Sequence, residues 1–282
     1  MRLAIVAHRA TPTNLALAAE APPGVDASVL SPLTALHVLR PGDVALGRLD
    51  VRETVDGIED GLWHLERLAS AGVVVLNGPS ALQLAHDKRL TATALTAAGL
   101  PHPYTVSVRD GRDEPPLPFP FVLKPRFGSW GTDIMLCPDE AAWDSAARNL
   151  STRAWFSRCG VLAQELIPPL GHDLRILVAR GRVVGAVKRV AAPGEWRTNI
   201  ALGATRRPVD PSPVARAVAL DAAVTIGGDF VGVDLLPTGP GSYVVLEVNG
   251  AVDFTADYAL GENVFAAVVG ALVGGPQLAA IA

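Results

Sequence analysis

The sequence predicts an α/β (α+β) protein with a doubly wound layer at its N-terminus and a strand-rich C-terminal part. Over about the first 80 residues, apolar runs that suit buried parallel strands alternate with helical patterns. From Gly160 onward, strand patterns are separated by turns rich in Gly and Pro. The length of 282 residues adds a prior of about two domains, at roughly 150 residues per domain.

Composition excludes several classes of protein. With apolar residues at 49% and charged residues at 18%, the chain is not a disordered one, and its net charge of −4 provides no overall basic surface for nucleic acid. The first apolar run is too short for a signal peptide, and Gly274 ends the apolar stretch Val264–Val273, which predicts a packed helix rather than a membrane span. Cys137 and Cys159 lack CxxC spacing. We therefore expect a cytoplasmic protein with neither nucleic acid nor membrane as a partner.

The N-terminal layer is predicted from five segments. Three apolar runs fit strands, at Leu3–Ala7, Val44–Leu46 and Val73–Leu76. Two further segments fit helices, at Thr13–Ala21 and Asp60–Ala71. No GxGxxG follows the first strand, so dinucleotide binding has no support.

A helix over residues 88–98 follows this layer. Asp87 suits the N-cap, Gly99 suits the position after the helix, and Pro101 ends it. Lys88 lies in the first turn, where the helix dipole disfavours a cation by roughly a few tenths of a kcal/mol unless an anion binds there. Taken alone, the plain interpretation of Lys88 is a solvated lysine.

A hairpin with a Gly-rich loop is predicted next. The loop Pro125–Gly131 lies between strand patterns at Phe121–Lys124 and Thr132–Cys137. A helix over Asp139–Leu150 follows. Small residues in the loop leave backbone N–H groups free to surround phosphate oxygens, which predicts a flexible phosphate-binding flap. An ordinary hairpin is the alternative, since short Gly motifs give many false positives.

Two strand patterns near the C-terminus contain isolated polar residues. Phe230–Leu236 includes Asp234, and Val244–Asn249 places Glu247 and Asn249 on one face. Carboxylates and an amide oxygen in an otherwise apolar sheet are costly unless a cation compensates. These hard oxygen ligands suit Mg²⁺ bound together with substrate phosphates. A solvated outer face of the sheet is the alternative.

The pairing of these two strands depends on their connection. If residues 237–242 form the hairpin loop, Asp234 lies opposite Val245. Asp234 then shares a face with Glu247 and lies diagonal to it.

Basic residues are concentrated in the stretch from Arg175 to Arg207, which contains only one acid, Glu195. In a chain of net charge −4 this local excess predicts an anionic ligand, because arginine binds carboxylate or phosphate in bidentate fashion. A solvated basic face explains some of these residues equally well, above all Arg180, Arg182, Arg206 and Arg207. The basic residues are Arg175, Arg180, Arg182, Lys188, Arg189, Arg197, Arg206 and Arg207.

Short motifs follow one another along the chain as Asp87-Lys88, Lys124-Pro125, Gly128-Ser129-Trp130-Gly131, Gln164-Glu165, Gly171-x-Asp173-x-Arg175, Arg189, Arg197-x-Asn199, Asp234 and Glu247-x-Asn249. In this order they resemble the ATP-grasp fold, and more narrowly the RimK-type carboxylate–amine ligases, from about residue 77 to the end. The segments Gly128–Gly131 and Glu195–Gly203 are similar to the LysX branch. Its members join an amino acid to the C-terminal glutamate of a small acidic carrier protein in lysine or arginine biosynthesis.

The resemblance implies three parts and a role for each matched residue. The parts are an N-terminal α/β domain over 1–80, a small ATP-grasp lobe with the flap over 81–160, and a C-terminal lobe with the metal and substrate site over 161–282. The nucleotide would be bound by Lys88 and Lys124 at the α- and β-phosphates, the flap residues Gly128, Ser129, Trp130 and Gly131, the adenine-pocket residues Gln164, Glu165, Leu166 and Ile167, and Asp173. Two Mg²⁺ ions, with Mn²⁺ as a substitute, would be bound by Asp234, Glu247 and Asn249. The γ-phosphate and substrate carboxylates would be faced by Arg175, Arg189, Arg197 and Asn199.

The implied activity is an ADP-forming ligase that joins a carboxylate, of a glutamate side chain or C-terminus, to the amino group of an amino acid through an acyl phosphate. Its partners would be ATP, the amino acid, a small acidic carrier protein and further copies of the chain in a dimer or tetramer. Two alternatives stay open: a RimK-like glutamate ligase acting on a small molecule or protein tail, and a non-catalytic ATP-binding regulatory module. Residues 250–254 depart from the family pattern, as does Ala204 where a second glycine is usual, and both departures leave the amino acid undetermined.

Overall fold

The computed structural model describes residues 1–50, 61–109 and 114–274 and places the strands of these residues in three sheets. The strands of the first sheet are β1 (Arg2–Val6), β2 (Asp26–Leu30), β3 (Val44–Gly47) and β4 (Val74–Leu76). They are parallel in the order β2-β1-β3-β4. The helices that connect them are α1 (Pro12–Ala19), α2 (Pro32–Val38) and α3 (Leu62–Ser70). Asp60, the predicted start of the third helix, lies outside the described residues.

The first sheet is doubly wound, as predicted. Leu3 and Ile5 of β1 pack in one core with Leu17 of α1, whereas the alternate residues Ala4 and Val6 pack in a second core with α2 and α3. Helices therefore cover both faces of the sheet, which is why all four residues are apolar. The strand β2 and the helix α2 were not predicted, because β2 is only half buried and lacks a continuous apolar run.

Two helices connect this sheet to the next, α4 (Pro79–His86) and α5 (Lys88–Ala97). The predicted caps of α5 are confirmed, since the Asp87 carboxylate accepts from the backbone N–H groups of Arg89 and Leu90, and Gly99 has a φ of 71°. The cap places Lys88 at the first helical position.

The second sheet is antiparallel and carries the flap. Its strands are β5 (Thr105–Val108), β6 (Phe121–Pro125), β7 (Met135–Cys137) and β8 (Val161–Glu165), in the order β5-β8-β6-β7. The helices beside it are α6 (Glu140–Ser151) and α7 (Phe156–Cys159). The predicted β6–β7 hairpin is confirmed, but β7 begins at Met135 because Trp130, Gly131 and Asp133 have positive φ angles that interrupt the extended backbone.

The third sheet is antiparallel and lies in the C-terminal part. Its strands are β9 (His172–Ala179), β10 (Arg182–Val190), β11 (Thr205–Pro208), β12 (Phe230–Gly239) and β13 (Ser242–Asn249). Their order is β11-β10-β9-β12-β13. Short 3₁₀ segments lie at Ile200–Leu202 and Ala256–Tyr258, and the long helices are α8 (Pro213–Ile226) and α9 (Val264–Val273).

The predicted register of the β12–β13 hairpin is wrong. Both strands extend into the predicted loop at 237–242, and Leu236 pairs with Val244. A β-bulge at Leu246 then places one extra residue on β13, so that Asp234 lies directly opposite Glu247. Side chains directly opposite each other are closer than diagonal ones, so the correction brings the two carboxylates nearer to each other than predicted.

The helix α9 packs inside the molecule, as predicted. Val264, Val268 and Leu272 share a core with β1 and β3 of the first sheet and with Phe230 of the third. The first and third sheets are thus joined through common apolar side chains. Among the described residues, no helix has both the length and the apolar character needed to span a bilayer.

Candidate active site

A cleft of about 870 Å³, measured to its open mouth, lies between the second and third sheets. Its lining comes from β6, β8, β10, β12 and β13 and from the segments 166–173 and 196–199. A smaller recess of about 300 Å³ lies beneath the flap. The two are continuous, since Lys88, Asn199 and Glu247 are among the residues that line both.

These two cavities bring together the predicted site residues, with the exceptions of Arg175 and Asn249. Arg175 lies behind the cleft wall on Asp234, and Asn249 Nδ2 donates to the carbonyl of Gly232 at 3.4 Å. The predicted residues in the main cleft are Lys88, Lys124, Gln164, Glu165, Leu166, Ile167, Asp173, Arg189, Arg197, Asn199, Asp234 and Glu247. The predicted flap residues Gly128, Ser129, Trp130 and Gly131 line the smaller recess.

Two lysines enter the cleft from different elements. Lys88 Nζ donates to the carbonyl of Gly128 in the flap at 2.5 Å and lies 3.5 Å from Glu247 Oε1. Lys124, on β6, is buried, and its Nζ donates to Gln164 Oε1 at 2.8 Å. Burial, followed by the positive charge of Lys88, lowers the pKa of Lys124 from 10.5 to about 7. Anionic oxygens between the two amino groups would favour the charged form of both.

A buried cluster of arginines and carboxylates forms the opposite wall. Arg175 donates through Nε and Nη2 to the two oxygens of Asp234, each at 2.6 Å. Arg189 pairs in bidentate fashion with Asp173 and also donates to Asp234 Oδ2 at 2.9 Å, while Thr198 Oγ1 donates to Asp173 Oδ2 at 2.6 Å. Burial acts to raise the pKa of Asp234, but the two guanidinium groups outweigh it and hold that pKa below its usual value.

Asp234 of this cluster and Glu247 beside it are oxygen donors of the chemical type that Mg²⁺ prefers. Asp234 and Glu247 face each other across β12 and β13, and Glu247 is partly exposed to the cleft. Within the ranges that the structure describes, no three His, Cys, Asp or Glu side chains form a group that could hold a metal ion. In the cleft itself the chain offers two carboxylates to a cation, and phosphate or water oxygens would have to complete the coordination.

Arg197 lies in the segment between β10 and β11 and contacts the hairpin that carries the flap. Its guanidinium pairs with Glu195 at 2.8 Å, and its Nη1 donates to the carbonyl oxygens of Gly131 and Ile134 at 3.4 and 3.5 Å. The hydrogen bonds from the side chain and backbone of Arg197 lower the pKa of Glu195 to about 2. Gly131 has a φ of 78°, and a Cβ there would lie 2.9 Å from Asn199 Oδ1, so only glycine permits this close approach of the flap.

Apolar side chains without a predicted role also line the cleft, among them Val122, Ile134, Leu236 and Leu246. Two of them have a sequence signal, because Val122 lies two residues from Lys124, and Leu236 two residues from Asp234, on the same face of a strand. Leu246 has no such signal, since it is the bulged residue of β13. They line the cleft together with the Gln164–Ile167 segment, and this apolar slot suits the base of a nucleotide.

Comparison with known proteins decides the family. The family model for the RimK-like ATP-grasp domain matches residues 91–271, well over half of the chain. The chain belongs to the RimK-like ATP-grasp family. The crystal structure of an ATP-grasp RimK domain protein from Sphaerobacter thermophilus superposes with a TM-score of 0.71 at 22% identity, over 97% of this chain and 100% of that one. This confirms the ATP-grasp fold.

Curated relatives of this RimK-like chain carry the names of ligases. A "probable alpha-L-glutamate ligase" of Aeromonas salmonicida is 32% identical over 68% of this chain. The matched region spans 64% of that relative's length. A tetrahydromethanopterin:alpha-L-glutamate ligase of Methanosarcina acetivorans is 29% identical over 76% of each chain. The glutamate–LysW ligase ArgX of Sulfurisphaera tokodaii is 27% identical over 76% of this chain and 78% of its own.

Proposed function

We propose that this RimK-like chain is an ATP-dependent, ADP-forming carboxylate–amine ligase. The observation that supports it most is the cleft itself, where Lys88 and Lys124 face Asp234 and Glu247 beside an apolar slot. Positive groups for the phosphates, hard oxygen donors for a cation and a slot for a base are thus present in one place. ATP-grasp enzymes use ATP and Mg²⁺. We assign two Mg²⁺ ions to the site, with Mn²⁺ as a substitute.

The reaction has two steps in this proposal. A carboxylate oxygen of the substrate attacks the γ-phosphorus of ATP, and ADP leaves, which yields an acyl phosphate. An amino group then attacks the acyl carbon, and the tetrahedral intermediate expels inorganic phosphate to leave an amide, with the amine proton passing to the medium. Both steps develop negative charge on oxygen.

The residues of the chain orient the reactants and exclude water. Lys88 and Lys124 bind the α- and β-phosphates, while Arg197 and Asn199 meet the γ-phosphate and the substrate carboxylate. The flap covers this end of the cleft and protects the acyl phosphate from hydrolysis. Bound Mg²⁺ would neutralise phosphate charge and polarise the transferred group. Asp234, Glu247 and Asn249 would hold it.

The substrates are inferred from the names of the relatives and from basic residues at the edge of the third sheet. All three relatives have glutamate in their names, so we infer that glutamate is one reactant, as the amino acid joined or as the residue extended. On the outer edge of the third sheet, Arg206 and Arg207 of β11 lie beside Arg189 and Lys188 of β10. This basic edge favours a small acidic carrier protein over a free small molecule as the acceptor. We further propose that the enzyme is a cytoplasmic homo-oligomer.

One assay tests the activity and the substrate class together. The enzyme is incubated with ATP, Mg²⁺ and a panel of amino acids, with and without an acidic carrier protein, while ADP release and product mass are recorded. We expect ADP and phosphate, together with a product heavier by one amino-acid residue. Stoichiometric AMP would contradict the acyl-phosphate route, and binding of ATP without any product across the panel would favour the non-catalytic alternative.

A further inference from the structure

A histidine outside the proposed catalytic set joins the third sheet to the second. His102 lies in the segment between α5 and β5, and this segment is docked on Val245 at the bulged edge of β13. The Val245 N–H donates to the carbonyl of Pro101 at 2.8 Å, and the Val245 carbonyl oxygen lies 2.6 Å from His102 Nδ1. Both polar backbone groups of Val245 are thus bound by the segment.

The partner of Nδ1 determines the tautomer of His102. A carbonyl oxygen only accepts, so the proton of the neutral ring must be on Nδ1. Burial, followed by the charge of Lys124, lowers the pKa of His102 to about 4, so the ring is neutral at physiological pH. His102 Nε2 therefore carries a lone pair and acts as an acceptor inside the protein.

This acceptor faces the side-chain amide of Gln164. The Thr105 hydroxyl donates its proton to the Pro103 carbonyl at 2.8 Å, which leaves its oxygen to accept from Gln164 Nε2 at 2.8 Å. His102 Nε2 lies 3.5 Å from the same amide nitrogen. Two acceptors thus lie on the nitrogen side of the amide, and the oxygen is left to accept from Lys124 Nζ at 2.8 Å.

We propose that His102 is a positioning residue for nucleotide binding, which through Gln164 places the amino group of Lys124 for the phosphates. The chain of contacts runs from Val245 through His102 and Gln164 to Lys124. A reversed amide would turn its N–H groups toward the ammonium of Lys124 and its oxygen toward the two acceptors, which is unfavourable at both ends. The inference rests on the proposed function, in which Lys124 binds phosphate.

A double-mutant cycle tests whether His102 acts through Gln164. His102→Leu, Gln164→Leu and the double variant are compared by calorimetric ATP affinity and by the separate KM and kcat values for ATP. We expect each single variant to weaken ATP binding by about five- to tenfold, the scale of one typical hydrogen bond, with a smaller change in kcat. The double variant should bind ATP no more weakly than Gln164→Leu alone. His37→Leu, on the exposed face of α2, is the matched control and should bind ATP as the parent does.

The outcomes separate this inference from the proposed function. Normal ATP affinity in His102→Leu, or a full additional loss in the double variant, would overturn the positioning role. Unchanged ATP binding in Lys124→Ala would instead contradict the proposed function of Lys124. Because His102→Leu could impair folding, ¹⁵N NMR of histidine-labelled parent protein provides an independent test. We expect the Nδ1–H tautomer for His102 at neutral pH, and the Nε2–H tautomer would overturn the inference.

Discussion

At the scale of single residues, the two carboxylates assigned to the metal differ in what surrounds them. Asp234 is buried, and its oxygens accept three hydrogen bonds from Arg175 and Arg189. Glu247 is partly exposed and has the amino group of Lys88 at 3.5 Å. Removing the charge of Asp234 leaves Arg175 without its ion-pair partner, while Arg189 keeps Asp173, whereas removing the charge of Glu247 leaves no buried guanidinium unpaired.

The stability of two isosteric variants follows from this difference. We expect Glu247→Gln and Asp234→Asn both to abolish ligation, because each removes a proposed metal ligand. Only Asp234→Asn should lower the free energy of unfolding substantially, by about 3 kcal/mol, the scale for breaking a buried ion pair. Urea unfolding without nucleotide measures this. Near-normal turnover of Glu247→Gln at limiting Mg²⁺ would show that the metal assignment is wrong.

The lowered pKa of Lys124 predicts a pH dependence of nucleotide binding. In the free protein Lys124 loses its charge as the pH rises through about 7, whereas bound phosphates favour the charged form and raise its pKa. Above pH 7, binding must therefore take up a proton, and affinity should fall by up to about tenfold per pH unit. Calorimetry in buffers of different ionisation enthalpy measures the uptake at pH 8. In Lys124→Met the proton uptake due to Lys124 should vanish. An unchanged proton uptake would show that another group takes up the proton.

At the scale of elements, the flap depends on a glycine whose neighbour is a proposed catalytic residue. We expect Gly131→Ala to lower kcat at least tenfold, because its Cβ would press on Asn199 and displace the flap. Gly181→Ala is the matched control, since Gly181 has a φ of 73° and nothing within 4 Å of the added Cβ. The backbone strain is the same in both variants, so equal losses of kcat would show that contact with Asn199 is not the cause.

The elements that the sequence predicts are those whose signals are local. The N-cap Asp87 and the continuous apolar run of β1 need no knowledge of distant neighbours, and both are confirmed. The strand β2 lies at the sheet edge and is half exposed, so its sequence Asp26–Leu30 has no clear pattern. The bulge at Leu246 depends on how β13 fits β12, and alternation alone gave the wrong register.

At the scale of the whole molecule, the candidate site is built from segments far apart in sequence, and this sets the limit of prediction. Short motifs indicate that Arg175, Arg189 and Asp234 belong to one site, and the structure places Arg189 and Asp234 in its wall. That Arg175 pairs with Asp234 follows only from the adjacency of β9 and β12. His102 has no motif, since its contacts with Val245 and Gln164 span two sheets. The predicted division at residues 80 and 160 stays a prediction.

The whole-molecule charge distribution separates two kinds of arginine. Arg197 lies in the cleft beside the flap, whereas Arg206 and Arg207 lie on the edge strand β11. A residue beside developing charge in a water-poor site affects the chemical step, while one on the edge acts through solvent-screened attraction. We expect Arg197→Ala to lower turnover by about 10²-fold at any salt concentration.

The edge pair should behave differently if the acceptor is an acidic carrier. We expect Arg206→Ala/Arg207→Ala to slow association several-fold at low salt, with turnover at saturating carrier unchanged. The decrease in the association rate should become smaller as added salt shortens the Debye length from about 10 Å at 0.1 M to about 3 Å at 1 M. Arg109→Ala/Arg148→Ala removes the same charge from exposed positions on the second-sheet side of the molecule and is the control. Steady-state kinetics with the carrier as the varied substrate are measured for the parent protein and for both double variants. A loss of turnover at saturation, or an effect independent of salt, would contradict steering and favour a small free substrate.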